Sequence, residues 1–235
     1  MRSFGSLALF VFLTCAGATQ AASQRDHDAC AKSSRDEAIS ACTRVIQDRS
    51  EDAGRRAAAY NNRGTAYLSS DIDRAIANYD EAIRLDPKYA DAYLNRAFAY
   101  RGKNDVDRAI PDYNETIRLD PKHPTVYIAR GTAYNIKGDF DRAIADYNRA
   151  MQLGSKYASV IFTVRGNAYF GKKDFDRAIA DYDAALRINP RSAESLYARG
   201  LSKKKKGDAS GDADIAAAKE INGGIAELLA SHGVN

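Results

Sequence analysis

Apolar and polar positions follow a helical period over most of the chain, and the pattern stops and restarts at short intervals. Between Pro124 and Tyr157, the residues Tyr127, Arg130, Gly131 and Tyr134 fall at i, i+3, i+4 and i+7, one stripe of an α-helix. Gly138-Asp139 breaks the stripe, because glycine ends a helix and aspartate caps the next one. Ala143, Tyr147 and Ala150 then mark a second amphipathic helix at spacings of four and three. The pattern predicts a unit of two antiparallel helices.

The unit recurs. The phrase Asp-x-Asp-Arg-Ala-Ile starts at Asp71, Asp105, Asp139 and Asp174, and its alanines Ala75, Ala109, Ala143 and Ala178 are 34, 34 and 35 residues apart. Units of this size cannot bury an apolar face alone and must stack. Gly64, Ala97, Gly131, Gly166 and Gly200 share one place on the first helix, which lets helix axes approach closely. Three further shared places hold tyrosine: Tyr67, Tyr100, Tyr134 and Tyr169; Tyr79, Tyr113, Tyr147 and Tyr182; and Tyr60, Tyr93 and Tyr127. That gives 11 of the 14 tyrosines to packing, so the aromatic content reads as architecture before it reads as a binding patch.

These positions, with closing prolines at Pro87, Pro121 and Pro190, resemble the tetratricopeptide repeat. The resemblance implies an all-α fold, a right-handed superhelical solenoid of antiparallel helix pairs with helical caps. Four good repeats are expected at 57–89, 90–123, 124–158 and 159–192, with a degenerate fifth at 193–222. Residues 22–56 should form an N-terminal capping hairpin, whose Asp36 to Ile46 resembles a lone second helix, and 223–235 a C-terminal cap. Three departures stand out. The first repeat is one residue short at Ser69-Ser70-Asp71. The third closes on Ser155 with one extra residue, which should loosen the stack there. Pro111 falls inside a second helix, where it costs a hydrogen bond.

The ends add a compartment. Arg2, the apolar run Leu7 to Ala18 and the small residues of Thr19-Gln20-Ala21 have the layout of a secretory signal peptide over residues 1–21. An uncleaved anchor is the alternative; a lipoprotein is less well matched, with Leu13-Thr14 before Cys15. No later apolar stretch is long enough to cross a membrane, so a periplasmic or secreted chain is expected. Cys30 and Cys42 remain after the leader, either stapling the hairpin as a disulfide or buried as free thiols. Removing Arg2 leaves 34 basic against 31 acidic residues, +3 in all, and Lys203 to Lys206 supplies four of the positives. That run reads as a solvated face or as a contact for an anionic polymer, and the balance argues against nucleic acid.

Two features remain as candidate chemistry. Arg63, Arg96, Arg130, Arg165 and Arg199 precede the small residue, and Asp112, Asp146, Asp181 and Asp214, with Asn78, recur on the second helix. A ladder of two-pronged bridges between the helices is expected, with an arginine-lined anion site as the alternative. No catalytic constellation, phosphate loop or zinc spacing involves His27, His123 or His232, so neither enzyme activity nor a metal or other cofactor is expected. The resemblance implies a concave groove lined by first helices that receives a peptide. By position it takes in Asn61, Asn62, Thr65, Leu94, Asn95, Phe98, Ile128, Thr132, Thr163 and Asn167. The Lys and Asn pattern with which relatives clamp a terminal carboxylate is not met. The expected function is a non-catalytic scaffold for a protein or peptide partner in the bacterial envelope. The alternative is a periplasmic binding module for a small molecule or cell-wall glycan.

Overall fold

The computed structural model describes residues 22–231 and 234, so the expected signal peptide at 1–21 lies outside the described residues. Thirteen α-helices make up the described chain: α1 (Gln24–Lys32), α2 (Arg35–Gln47), α3 (Ala53–Tyr67), α4 (Ile72–Leu85), α5 (Ala90–Gly102), α6 (Val106–Leu119), α7 (Pro124–Ile136), α8 (Phe140–Gln152), α9 (Ala158–Gly171), α10 (Phe175–Ile188), α11 (Ala193–Lys205), α12 (Gly211–Ile221) and α13 (Ile225–Ser231). Each helix packs on the next, so α3 to α12 form five stacked pairs between the α1/α2 hairpin and α13. The α3 helix starts at Ala53, four residues before the expected first repeat, because the Asp52 side chain accepts from the Arg55 N–H and caps it there.

Both aspartates, the arginine and the alanine of the recurring phrase have a place. Asp71, Asp105, Asp139 and Asp174 cap the second helices by accepting from the backbone N–H three residues on. The next aspartates, Asp73, Asp107, Asp141 and Asp176, meet Lys103, Lys137, Lys172 and Lys206 of the following unit. The arginines Arg74, Arg108, Arg142 and Arg177 fold back on the capping aspartate. They also cover the rings of Tyr67, Tyr100, Tyr134 and Tyr169 at 5.6, 4.5, 4.5 and 4.6 Å. The alanines are fully buried.

The core is built on tyrosine against glycine. Tyr79, Tyr113, Tyr147 and Tyr182 are all 0% exposed. A methyl on Gly64, Gly131 or Gly166 would lie 2.7, 2.7 or 2.6 Å from the ring of Tyr79, Tyr147 or Tyr182. Three of the four phenol groups find a partner on the first helix: Thr65 at 3.3 Å, Thr132 at 3.4 Å and Asn167 at 2.8 Å. In the second unit Phe98 takes that place and packs edge-on to Tyr113, rings 5.9 Å apart. The Tyr113 hydroxyl is therefore buried without a hydrogen bond.

The departures are absorbed locally. Gly138 turns the chain at φ 75°, a left-handed conformation that Asn104 and Lys173 also adopt in their loops. The short first loop does without one. The stack does not loosen at the third repeat: the loop from Leu153 to Tyr157 takes up the extra residue, and the Ser155 hydroxyl accepts from the Tyr157 N–H at 3.2 Å. Helix α6 runs unbroken through Pro111, which is exposed, so water can satisfy the freed carbonyl.

Cys30 and Cys42 form a disulfide between α1 and α2. Cys42 stands where the later units hold a buried tyrosine, in a cluster of Ala29, Ala41, Val45 and Ala59. Closing a loop of this length stabilises by about 3 kcal/mol in the chain-entropy model. At the other end Ile225, Leu229 and Val234 close the stack against Ala198 and Ala218.

Gly131→Ala places a methyl against the Tyr147 ring and 3.2 Å from the Ala143 carbonyl oxygen. Ala97 fills the same place in the second unit, so the helices can slide to make room, and the expected loss is about 1 kcal/mol in urea unfolding. Alkali offers a second measurement. Burial is the leading cause that pushes Tyr113 up to about 12, and Tyr79, Tyr147 and Tyr182 shift the same way. Unfolded tyrosine ionises near pH ~10, so the native state keeps its protons longer and stability falls as pH climbs from about 10 towards 12. Tyrosinate absorbance from these four rings should rise together with loss of helicity; a complete rise over an intact helical spectrum would contradict their burial.

Candidate functional site

The recurring arginines do more than the expected bridge. Arg96 donates through Nε and Nη2 to the two carboxylate oxygens of Asp112 at 2.8 and 2.7 Å. Arg130 holds Asp146 in the same way, Arg165 holds Asp181 and Arg199 holds Asp214. Arg63 gives Nε to Asn78 at 2.8 Å. The remaining nitrogen, Nη1, reaches back to the preceding unit: Arg96 to Asp80, Arg130 to Asn114, Arg165 to Asn148 and Arg199 to Asp183, all within 2.5 to 2.7 Å. In the first unit it reaches Thr43 of the cap at 3.0 Å. One guanidinium thus joins three helices. The hydrogen bonds that Asp112, Asp181 and Asp214 accept are the leading cause that raises Arg96, Arg165 and Arg199 above the ordinary arginine value. With Nε, Nη1 and Nη2 of Arg96, Arg130, Arg165 and Arg199 all bonded within the fold, the ladder is occupied by structure.

The lysine run is also largely engaged. Lys203 meets Asp214 at 2.8 Å, Lys204 meets Asp212 at 2.5 Å, and Lys206 meets Asp176.

What stays open is the inner face. Successive first helices touch (α1 with α3, α3 with α5, α7 with α9, α9 with α11), whereas among the described residues second helices make no comparable contact with one another. The first helices therefore line the tighter side of the curve. A cavity of about 310 Å³ lies along α5, α7, α9 and α11, lined by Arg101, Thr132, Asn135, Ile136, Val164 and Glu194 together with Tyr147 and Asn167. Ile136 is 52% exposed, and the Asn135 side-chain oxygen is buried without a partner.

The residues expected in the groove divide into three groups. Thr132 and Asn167 line this cavity while also holding the phenol groups of Tyr147 and Tyr182. Asn62 and Thr65 line a separate cavity of about 290 Å³ beside Cys30, Ser33, Arg35 and Ser69, at the junction with the cap. The others sit in packing. Asn61 and Asn95 bond to each other at 2.9 Å, Leu94 is buried, Thr163 meets Ser195 at 2.7 Å, Phe98 covers Tyr113, and Ile128 packs on the core. Residues three before the small position seal the seam between neighbouring first helices, because there the helices come closest. Arg101, Asn135, Ile136 and Glu194 escaped the sequence reading. Continuing the stripe one turn beyond Phe98 and Thr132 would have reached Arg101, Asn135 and Ile136; no comparable cue marks Glu194.

His27 is bound to Glu51 at 2.7 Å. Among the described residues no group of His, Cys, Asp and Glu is arranged to hold a metal, and no helix is long and apolar enough to cross a membrane.

Two family models match the chain, one for the TPR repeat over 67–103 and 166–207 and one for the tetratricopeptide repeat over 96–158. Together they cover 134 of its 235 residues. No curated protein matches at a significant level. Similar solved structures include the MamA protein, at TM-score 0.64 and 22% identity over 73% of this chain and 94% of that one. A MamA from Desulfovibrio magneticus RS-1 gives 0.61 and 18%, over 74% and 96%. YrrB, described as a TPR protein with an unusual peptide-binding site, gives 0.65 and 22%, over 78% and 93%. At these identities the likeness is one of fold.

Removing one rung tests the ladder. Arg130→Ala leaves Asp146, 6% exposed, buried without its cation, and should cost about 3 kcal/mol in urea unfolding. Arg130→Met combined with Asp146→Leu should recover much of that loss. Unchanged stability in the single variant would return the arginines to the role of an open anion site.

Proposed function

Since the chain belongs to the tetratricopeptide repeat family, we propose that it is a non-catalytic scaffold that holds a peptide or protein segment along its inner channel. The observation that carries this reading is the contrast within one face. Positions that build the stack repeat from unit to unit, while the channel between α5 and α11 collects unlike residues: a cation at Arg101, amides at Asn135 and Asn167, an apolar side chain at Ile136 and an anion at Glu194. An extended peptide supplies backbone groups for the amides, an apolar side chain for Ile136 and charges for the two ends. The peptide-binding site named for YrrB is consistent with such use of the fold. The apolar leader and the disulfide-closed cap support work beyond the cytoplasmic membrane.

A peptide library displayed against the mature chain tests the reading. Selected peptides should lose roughly tenfold or more in affinity to Ile136→Asp, because a buried isoleucine contributes on the order of 1.5–3 kcal/mol. The variant should melt with the parent, since Ile136 is half exposed. Peptides bound equally by parent and variant would remove the channel from the account; binding of glycan in place of any peptide would favour a carbohydrate module.

A further inference from the structure

The first described residue lies against a buried carboxylate. Asp48, just beyond the end of α2, is 5% exposed. Its Oδ1 accepts from the N–H and hydroxyl of Ser50 at 2.8 and 2.7 Å, and its Oδ2 accepts from the nitrogen of Ala22 at 2.6 Å. The bonds from Ser50, then that from Ala22, hold the carboxyl below its ordinary value, so it is charged at neutral pH. The neighbouring imidazole of His27 is already engaged with Glu51, and the guanidinium of Arg44 with Asp26. A buried carboxylate without a cation of its own is costly.

The sequence puts a cation where one is lacking. Residues Leu7 to Ala18 are apolar, and Thr19 and Ala21 place small side chains third and first before the Ala21–Ala22 bond. We propose that a processing peptidase hydrolyses that bond, and that the new α-ammonium of Ala22 is seated on Asp48. Water adds across the amide: the hydroxyl goes to the Ala21 carbonyl carbon, whose acid ionises, and the nitrogen leaves as the amine of Ala22, protonated near neutrality. Register leaves no slack. Ser23 is the N-cap of α1 and is itself held through its N–H to Asp26 at 3.0 Å. An ammonium one residue before that cap faces the positive end of the helix, which is unfavourable without a carboxylate opposite. A later cut would remove the group that meets Asp48, and an earlier one would leave a neutral amide there. The ion pair ties α1 to the end of α2, beside the disulfide.

The test uses the full chain with its own leader, expressed in a bacterial host and purified from the envelope fraction. Intact mass should correspond to Ala22–Asn235. The α-amino group should then react with an acylating reagent at about pH 7 at least tenfold more slowly than in Asp48→Asn, since each unit of raised pKa leaves about tenfold less free amine. A second variant with one alanine inserted after Ala21 keeps Asp48 but pushes the ammonium roughly 3.5 Å out of place, and should label as fast as Asp48→Asn. Equal labelling in all three chains overturns the seat. A mature chain starting elsewhere overturns the site but leaves export standing; a retained leader overturns both. Peptide binding in the channel is independent of every one of these outcomes.

Discussion

A guanidinium bonded to three helices sets the geometry of this molecule. The first and second helices of one pair are joined by the two parallel prongs, and the third bond reaches the pair before, so each arginine fixes both the angle within a unit and the step between units. Lysine could supply the charge but not the fork. The arrangement also explains why both oxygens of each carboxylate are engaged by one arginine: Asp112, Asp146 and Asp181 are 5 to 6% exposed, and burial of an anion is sustained only where its partner is fixed. The rings of Tyr93, Tyr127 and Phe162 lie beside the same guanidinium groups at 5.6 to 5.9 Å, so the charged seam is sheathed in aromatic surface.

A stack specified this heavily leaves few residues for recognition. The inner side of each first helix offers several positions, yet some of them are taken by contacts between neighbouring first helices and others by the phenol groups beneath. Thr132 and Asn167 show the compromise: each satisfies a buried tyrosine and still faces the channel. Phe98 shows the exception, since it gives the Tyr113 hydroxyl nothing and packs a ring edge-on against Tyr113 instead. A local rule broken in one unit of an otherwise uniform array marks where packing yields to another demand.

The stack was legible in the sequence because each of its positions is repeated. Spacing alone gave the helix pairs, the glycine and tyrosine places and the arginine–aspartate bridges, since one unit corrects the reading of another. The third bond of each arginine is harder to read: its partners Asp80, Asn114, Asn148 and Asp183 do recur, directly after the buried tyrosine, but they lie on the preceding unit, so the pairing emerges only once units are stacked. The groove was read only in part. Leu94 and Thr163 look like surface on a helical wheel, but the curvature of the stack presses first helices together and buries them. Curvature is a property of the assembled array, and no single repeat displays it.

The two ends of the array meet the same requirement by different means. A solenoid must close its terminal apolar face. At the C-terminal end ordinary packing suffices, with Ile225 and Leu229 almost wholly buried. At the N-terminal end the register that elsewhere places Tyr79 or Tyr147 holds Cys42, and its neighbours are mainly alanine and valine. So little apolar volume cannot hold a nine-residue helix such as α1 by burial alone. The cap turns to a covalent bond between Cys30 and Cys42 and to polar ties at His27–Glu51, Arg44–Asp26 and Ala22–Asp48. The covalent tie persists only where thiols are kept oxidised, and the last becomes an ion pair only if the chain begins at Ala22. The proposed export would therefore serve the stability of this end twice over: an oxidising compartment would keep the disulfide, and cleavage of the leader would create the charge that faces Asp48.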